Sequence, residues 1–222
     1  MFRDALLVAG KDLRVEARSR VATNQILPFA LLVLFLFAFA LDPNRGVLER
    51  ATAGLFWLAV LFCVVLGVER AFALESGEGV IDALRLSGLD PAGLFLGKAG
   101  ALFVQLLVLE VVLGVGVVFL YGAELHSVAL LVVAGVLATA GLAAAGTLYG
   151  ALAAGLRVRE TLLPLLFLPA VVPVLIGATR AYEAALADRS AEGWPWCNLL
   201  AVFAAVYVGT GVLAFGPLLE ET

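Results

Sequence analysis

Six apolar runs, each about as long as a bilayer is thick, decide what this chain can become. They are Ala22–Leu41, Ala51–Val68, Ala99–Tyr121, Ser127–Ala154, Thr161–Thr179 and Pro195–Leu219. A helix crosses the hydrocarbon core with roughly 20 predominantly apolar residues. Inside lipid the backbone has no water to bond, so a run of this length is read as a helix that satisfies itself. Charged residues make up only 14% of the chain, against about 25% in soluble domains. With 222 residues in all, little remains for a separate globular unit. The expectation is an all-α polytopic membrane protein, a single transmembrane domain over residues 1–222.

The basic residues give the orientation. Six spans place both ends of the chain on one side. Arg3, Lys11, Arg14, Arg18 and Arg20, then Arg70, Arg85 and Lys98, then Arg157 and Arg159 fall on that side. Arg45, Arg50, Arg180 and Arg189 fall on the other. The positive-inside rule therefore predicts cytoplasmic termini. Trp194 and Trp196 suit an outer aromatic belt. Ala38-Phe39-Ala40 imitates a signal-peptide cleavage site, but a patterned, charged arm precedes the run where a signal has a short basic one, so an uncleaved span is expected. Cys63 and Cys197 lie far apart and no CxxC occurs, which argues against a redox or zinc motif.

Three segments carry more than hydrophobicity. Residues 1–21 read as an amphipathic interfacial helix, with Phe2, Leu6, Ala9, Leu13 and Ala17 on one side and Arg3, Lys11, Arg14 and Arg18 on the other. In the fourth span Gly146, Gly150 and Ala154 form a smooth face; lipid gives no hydrophobic drive for association, so such a face serves close packing, here expected to be internal. The fifth span holds Pro164, Pro169 and Pro173. Each proline removes a donor and crowds the carbonyl four residues back, so kinking or partial unwinding is expected, against protein or a water-filled path.

Catalytic constellations are absent from the sequence. His126 is the single histidine, a weak candidate haem ligand in an outer turn. Gly93-Leu-Phe-Leu-Gly97-Lys98 imitates a phosphate loop but fails it. The motif needs four residues between the glycines and Ser or Thr after the lysine, whereas three intervene here and Ala99 follows. Glu110 is the one acid at the centre of a span, where a carboxylate costs at least ~2.5 kcal/mol, so it should face the bundle interior. A functional role is the default reading of such an acid, with a structural polar clamp as the alternative.

The stretch Glu75–Lys98, ESGEGVIDALRLSGLDPAGLFLGK, is too polar to span. As a helix over residues 75–88 it places Val80, Ile81 and Leu84 on one face and Glu75, Glu78, Asp82 and Arg85 on the other. Gly88 would stop it, and Asp90-Pro91 would start the next helix as N-cap and first residue. An acidic, structured, cytoplasmic helix predicts a protein-docking surface, since anionic lipid would repel it.

The run GVERAFALESGEGVIDALRLSGLDPAGLFLGK resembles the coupling segment of type 2 ATP-binding cassette (ABC) exporter permeases. The KDLRVEARSR arm, six spans in this length and the proline-rich LLPLLFLPAVVPVLIGATRA narrow the resemblance to the haem exporter protein B (CcmB) family of the cytochrome c maturation system. The ESGEG run is less basic than that family's usual charged run. The resemblance implies a multi-pass subunit of the bacterial inner membrane that dimerises with a second copy of itself and is not itself an enzyme. It implies a separate ATP-binding cassette subunit carrying ATP and Mg, no cofactor on this chain, and no nucleic acid among its partners. A haem-handling membrane protein and a periplasmic haem chaperone would complete the system, with haem as substrate or the loaded chaperone as the thing released. Glu69, Arg70, Glu75, Glu78, Asp82, Leu84 and Arg85 would then couple to the ATPase. Two other readings of the residues are an exporter of a lipid or glycan, and a proton-driven carrier working through Glu110.

Overall fold

The computed structural model describes residues 1–41, 45–73, 90–154 and 159–221. Helix α1 spans Phe2–Ser19; a π-helical segment at Ala22–Ile26 leads into α2, Leu27–Leu41. Then follow α3 (Arg45–Ala73), α4 (Pro91–Tyr121), α5 (Val128–Ala154), α6 (Arg159–Leu186) and α7 (Ser190–Glu221). Six helices are long and apolar enough to cross a membrane. The protein is a polytopic all-α membrane protein.

The helices run past the apolar windows that announce them. The second span is apolar over Ala51–Val68, yet α3 continues from Arg45 to Ala73. Hydropathy marks where lipid begins, whereas the helix ends only where its backbone finds another partner. Asp90 and Pro91 start α4 as the sequence predicts: the Asp90 carboxylate accepts a bond from the Gly93 backbone N–H at 3.2 Å, and proline stands at the first turn. At the other end Gly122, at φ 66°, closes α4 by donating its N–H to the Val118 carbonyl. That left-handed conformation is the one glycine adopts without steric cost.

Helix α5 is the hub, packed against α3, α4, α6 and α7. From Gly141 to Leu148 it is buried all round, which only small side chains allow on four sides at once. A Cβ on Gly146 would stand 2.6 Å from a Val68 methyl, and one on Gly150 would stand 2.4 Å from the Phe72 ring. The small-residue face therefore packs internally, against α3. Helix α6 contains Pro164, Pro169 and Pro173 and remains one continuous helix. Partial unwinding, expected from the three prolines, is not what occurs.

Helix α1 departs from the two-faced expectation. Its exposed apolar side carries Phe2 and Leu6, and Arg3, Lys11, Arg14 and Arg18 are also exposed. A third face, Ala5, Val8 and Asp12, is turned to α4. Val8 is 5% exposed, and it lies against Gly97, where an added Cβ would come within 2.6 Å of the Val8 Cβ and 2.8 Å of the Ala5 carbonyl oxygen. Gly93 receives Met1 and Asp4 in the same way. The glycines of the failed phosphate loop are thus a track for a neighbouring helix.

Candidate functional site

Two polar features stand at opposite ends of the bundle. The first lies where α1 meets α3 and α4, near the end of α3 and the start of α4. The coupling candidates Glu75, Glu78, Asp82, Leu84 and Arg85, with the expected helix at 75–88, fall outside the described residues. Glu69 and Arg70 are in the last turn of α3, both half-buried. Arg70 borders a cavity of about 270 Å³ together with Asp12, Glu16, Lys98 and Gln105. Its Nε is buried without a hydrogen-bond partner among the described residues.

Lys98 is the residue that sequence reasoning undervalues here, reading it as a positive charge and as the lysine of a failed phosphate loop. Its side chain is 4% exposed, with Nζ 3.9 Å from Asp12 Oδ2 of α1 and 5.0 Å from the centre of the Phe72 ring of α3. One buried ammonium therefore joins three elements. The signal is present in the sequence: a lysine set between Gly97 and Gly100 in an otherwise apolar run. Glu16 holds the next joint, its Oε1 accepting the Ala22 N–H at 2.6 Å, so a side chain of α1 fixes the first residue of the π-helical segment. Such segments often mark functional hinges.

The second feature is at the far end, between α3, α4, α5 and α6. A groove of about 620 Å³ is walled by Phe56, Val111, Val115, Val132 and Tyr182, among others. Val111, Val115 and Val132 are more than half exposed, so the groove opens sideways from the bundle. Glu110 stands in its wall and is 7% exposed. The Thr139 hydroxyl donates to its Oε1. Tyr182 is close by: a Cβ on Gly135 would touch the tyrosine hydroxyl at 2.9 Å and Glu110 Oε2 at 3.6 Å. Tyr182 also stacks on Phe56, centroids 5.2 Å apart, and meets Trp57 edge-on at 5.1 Å. Four α-helices thus contribute a buried acid, a hydroxyl and an aromatic wall.

Beyond this groove is a vestibule of about 670 Å³, and the two share Thr52, Ala53 and Leu186. Its wall holds Arg50, Arg180, Arg189 and His126. Arg180 pairs with Glu183 at 3.0 Å and Arg189 with Glu192 at 3.5 Å, whereas Arg50 has no such partner among the described residues. His126 Nε2 lies 3.6 Å from Glu124. Among the described residues no group of three or more metal-ligating side chains occurs. Pro164, Pro169 and Pro173 border neither cavity; Pro169 and Pro173 lie on an exposed face of α6.

A family model described as CcmB protein matches residues 3–220. The heme exporter protein B of Rhodobacter capsulatus is 31% identical over 212 residues, covering 91% of this chain and 91% of the relative. That of Paracoccus denitrificans is 31% identical over 217 residues, 95% of this chain and 93% of the relative. That of Escherichia coli K12 is 30% identical over 203 residues, 91% and 90%.

Proposed function

The chain belongs to the CcmB family, and from that membership we propose that it is the membrane permease of an ABC exporter that serves cytochrome c assembly. The observation that carries the reading is the match over residues 3–220, together with relatives of the same length whose name is heme exporter protein B. On this reading the α1 end faces the bacterial cytoplasm and the membrane is the inner one, as the basic residues of the arm favour. A separate ATP-binding cassette subunit hydrolyses ATP with Mg and presses on residues 75–88. Haem is the cargo, passed toward a periplasmic chaperone with the help of a haem-handling membrane partner.

The permease works as a pair. Proline at 169 and 173 frees the carbonyls of Leu165 and Pro169, and Pro169 and Pro173 lie on an exposed face. Freed carbonyls at membrane depth need protein or water against them. A second copy on the proline face of α6 supplies that cover. A further reading, in which the stroke releases the loaded chaperone, is favoured by the ligand set: a single histidine and a single methionine make a poor axial pair for iron.

The test is a Glu78→Lys/Asp82→Lys double variant, expressed in a strain lacking this chain. Expected is a complex that still assembles with its ATPase subunit and still hydrolyses ATP, but yields no c-type cytochrome by haem staining. Normal cytochrome c in that variant refutes docking through this face. Normal cytochrome c in the strain lacking the chain altogether refutes the assignment to the pathway.

A further inference from the structure

Helix α1 packs along α4, and between it and α3 a cavity of about 270 Å³ stays open. Its described lining holds three bases, Lys11, Arg70 and Lys98, and two acids, Asp12 and Glu16. Both acids are engaged. Asp12 stands 3.0 Å from Lys11 Nζ and 3.9 Å from Lys98 Nζ. Glu16 accepts the Ala22 N–H at 2.6 Å and the Ser19 hydroxyl at 3.4 Å. Arg70 is different. It makes no ion pair among the described residues, and its Nε is buried without a hydrogen-bond partner there. A buried donor is costly to leave unpaired, and the lining has one positive charge in excess. The cavity is thus complementary to a single anion with acceptor oxygens.

The level of the cavity points to the source of the anion. The apolar run of α3 ends at Val68, two residues before Arg70, and that of α4 begins at Ala99, directly after Lys98. Both bases stand where the phosphates of a bilayer lie. Deeper in, the lining turns apolar at Gly67 and Leu102. Val104 and Val108, one and two turns on from Ala101 of the lining, are exposed where lipid would run. Helix α1 shows the same preference outside the cavity. Its acids Asp4, Asp12 and Glu16 are half-buried, whereas Arg3, Lys11, Arg14, Arg18 and Arg20 are all exposed.

We propose that this cavity seats the phosphodiester of an anionic phospholipid of the phosphatidylglycerol type, held by Arg70, with the acyl chains along Val104 and Val108. Guanidinium groups bind phosphate oxygens as planar forks, and Lys11 adds a point charge at the rim. The volume lies below the roughly 300–1,000 Å³ of whole small-molecule sites, so it takes a headgroup while the chains stay outside. A choline or ethanolamine headgroup brings an ammonium, for which the lining has no free carboxylate. Seated there, the lipid joins α1 to the last turn of α3. The inference does not depend on what the chain exports.

The full chain is placed in nanodiscs of equal parts phosphatidylglycerol and phosphatidylcholine and released for native mass spectrometry, which counts the lipids each chain retains. Expected is about one retained phosphatidylglycerol per chain, favoured about tenfold over phosphatidylcholine. Arg70→Gln and Lys11→Glu should each lower that retention about tenfold. Arg14→Glu makes the same charge change as Lys11→Glu on the same helix but outside the cavity lining, and should retain lipid like the parent. Folding is checked by maleimide, to which the buried Cys63 and Cys197 should stay unreactive. The Lys11 side chain is 51% exposed, so its variant decides the matter if Arg70→Gln does not fold. Parent-like retention in the folded cavity variants overturns the proposal. Equal losses in Lys11→Glu and Arg14→Glu also overturn it, as diffuse attraction to a basic helix. Equal retention of the two lipids refutes an anionic occupant, and displacement by millimolar inorganic phosphate refutes a lipid one in favour of free phosphate.

Discussion

Gly97 and Gly100 lie one helical turn apart on α4, and the same substitution should act on them with opposite sign. At Gly97 a Cβ would stand 2.6 Å from the Val8 Cβ and 2.8 Å from the Ala5 carbonyl oxygen, whereas at Gly100 it meets nothing within 4 Å. Real Cβ contacts do not approach that closely, and one of the two close atoms is backbone, so α1 must move outward. Overpacking costs about 1–3 kcal/mol, and alanine returns up to ~1 kcal/mol of helix propensity. Gly97→Ala should therefore loosen α1 by about 1–2 kcal/mol, while Gly100→Ala stabilises α4 by up to ~1 kcal/mol. The assay is maleimide labelling of Val8→Cys in native membranes. Cysteine keeps the Cβ that makes the clash, and the native Cys63 and Cys197 are both buried. Since 1.4 kcal/mol is a factor of ten in a population, Gly97→Ala should raise the labelling rate of residue 8 about tenfold, with Gly100→Ala at or below the parent. Equal rates in the two backgrounds would refute the docking of α1 on the glycine track.

The ion pair under α1 gives a second asymmetry. Asp12→Ala withdraws one carboxylate from an ammonium that is 4% exposed and should be the more costly change by denaturation in mixed micelles. Lys98→Met, which leaves Asp12 still paired to Lys11 at 3.0 Å, should cost about 1 kcal/mol. At Glu110, glutamine keeps an acceptor for the Thr139 hydroxyl and should cost less than ~1 kcal/mol. Leucine leaves that hydroxyl unpaired in a buried site and should cost about 1–3 kcal/mol. Cytochrome c assembly that survives Glu110→Gln rules out a proton-driven carrier, whereas its loss in a protein that melts normally supports one.

What was legible in the chain follows from where the signal resides. Lipid imposes a one-dimensional rule on each span, so the six runs and the Asp90-Pro91 start could be read residue by residue. The interior of the bundle obeys no such rule. Apolar residues face both lipid and protein, which is why hydropathy did not separate exposed Val111 from buried Leu113. Glu110 can be placed in the interior because a charge has nowhere else to go, but its partner Thr139 and its neighbour Tyr182 are 29 and 72 residues away. Gly93 and Gly97 present as a broken motif in the sequence, because spacing alone does not distinguish a phosphate cradle from a helix track. The third face of α1 was missed for a related reason: Ala5 and Val8 are too small to stand out in a pattern dominated by Phe2 and Leu6.

The same two helices border both ends of the proposed cycle. Helix α3 finishes at Ala73 and α4 begins at Pro91, so both lead directly out of the segment that the ATPase is proposed to press. Both also wall the groove, α3 through Phe56 and α4 from Leu107 to Phe119. At 1.5 Å per residue, the 31 residues of α4 carry a displacement across about 46 Å without an intervening loop. Lys98 makes the input stiff, since it holds Asp12 of α1 and lies against Phe72 of α3, so the three elements cannot shift independently at that end. At the groove the restraint is of another kind. Tyr182 of α6 and Thr139 of α5 hold the Glu110 side of the wall, while Val111, Val115 and Val132 at the mouth stay exposed. A stroke that tilts α3 and α4 together is therefore stiff where force enters and free to change the width of the mouth at the groove.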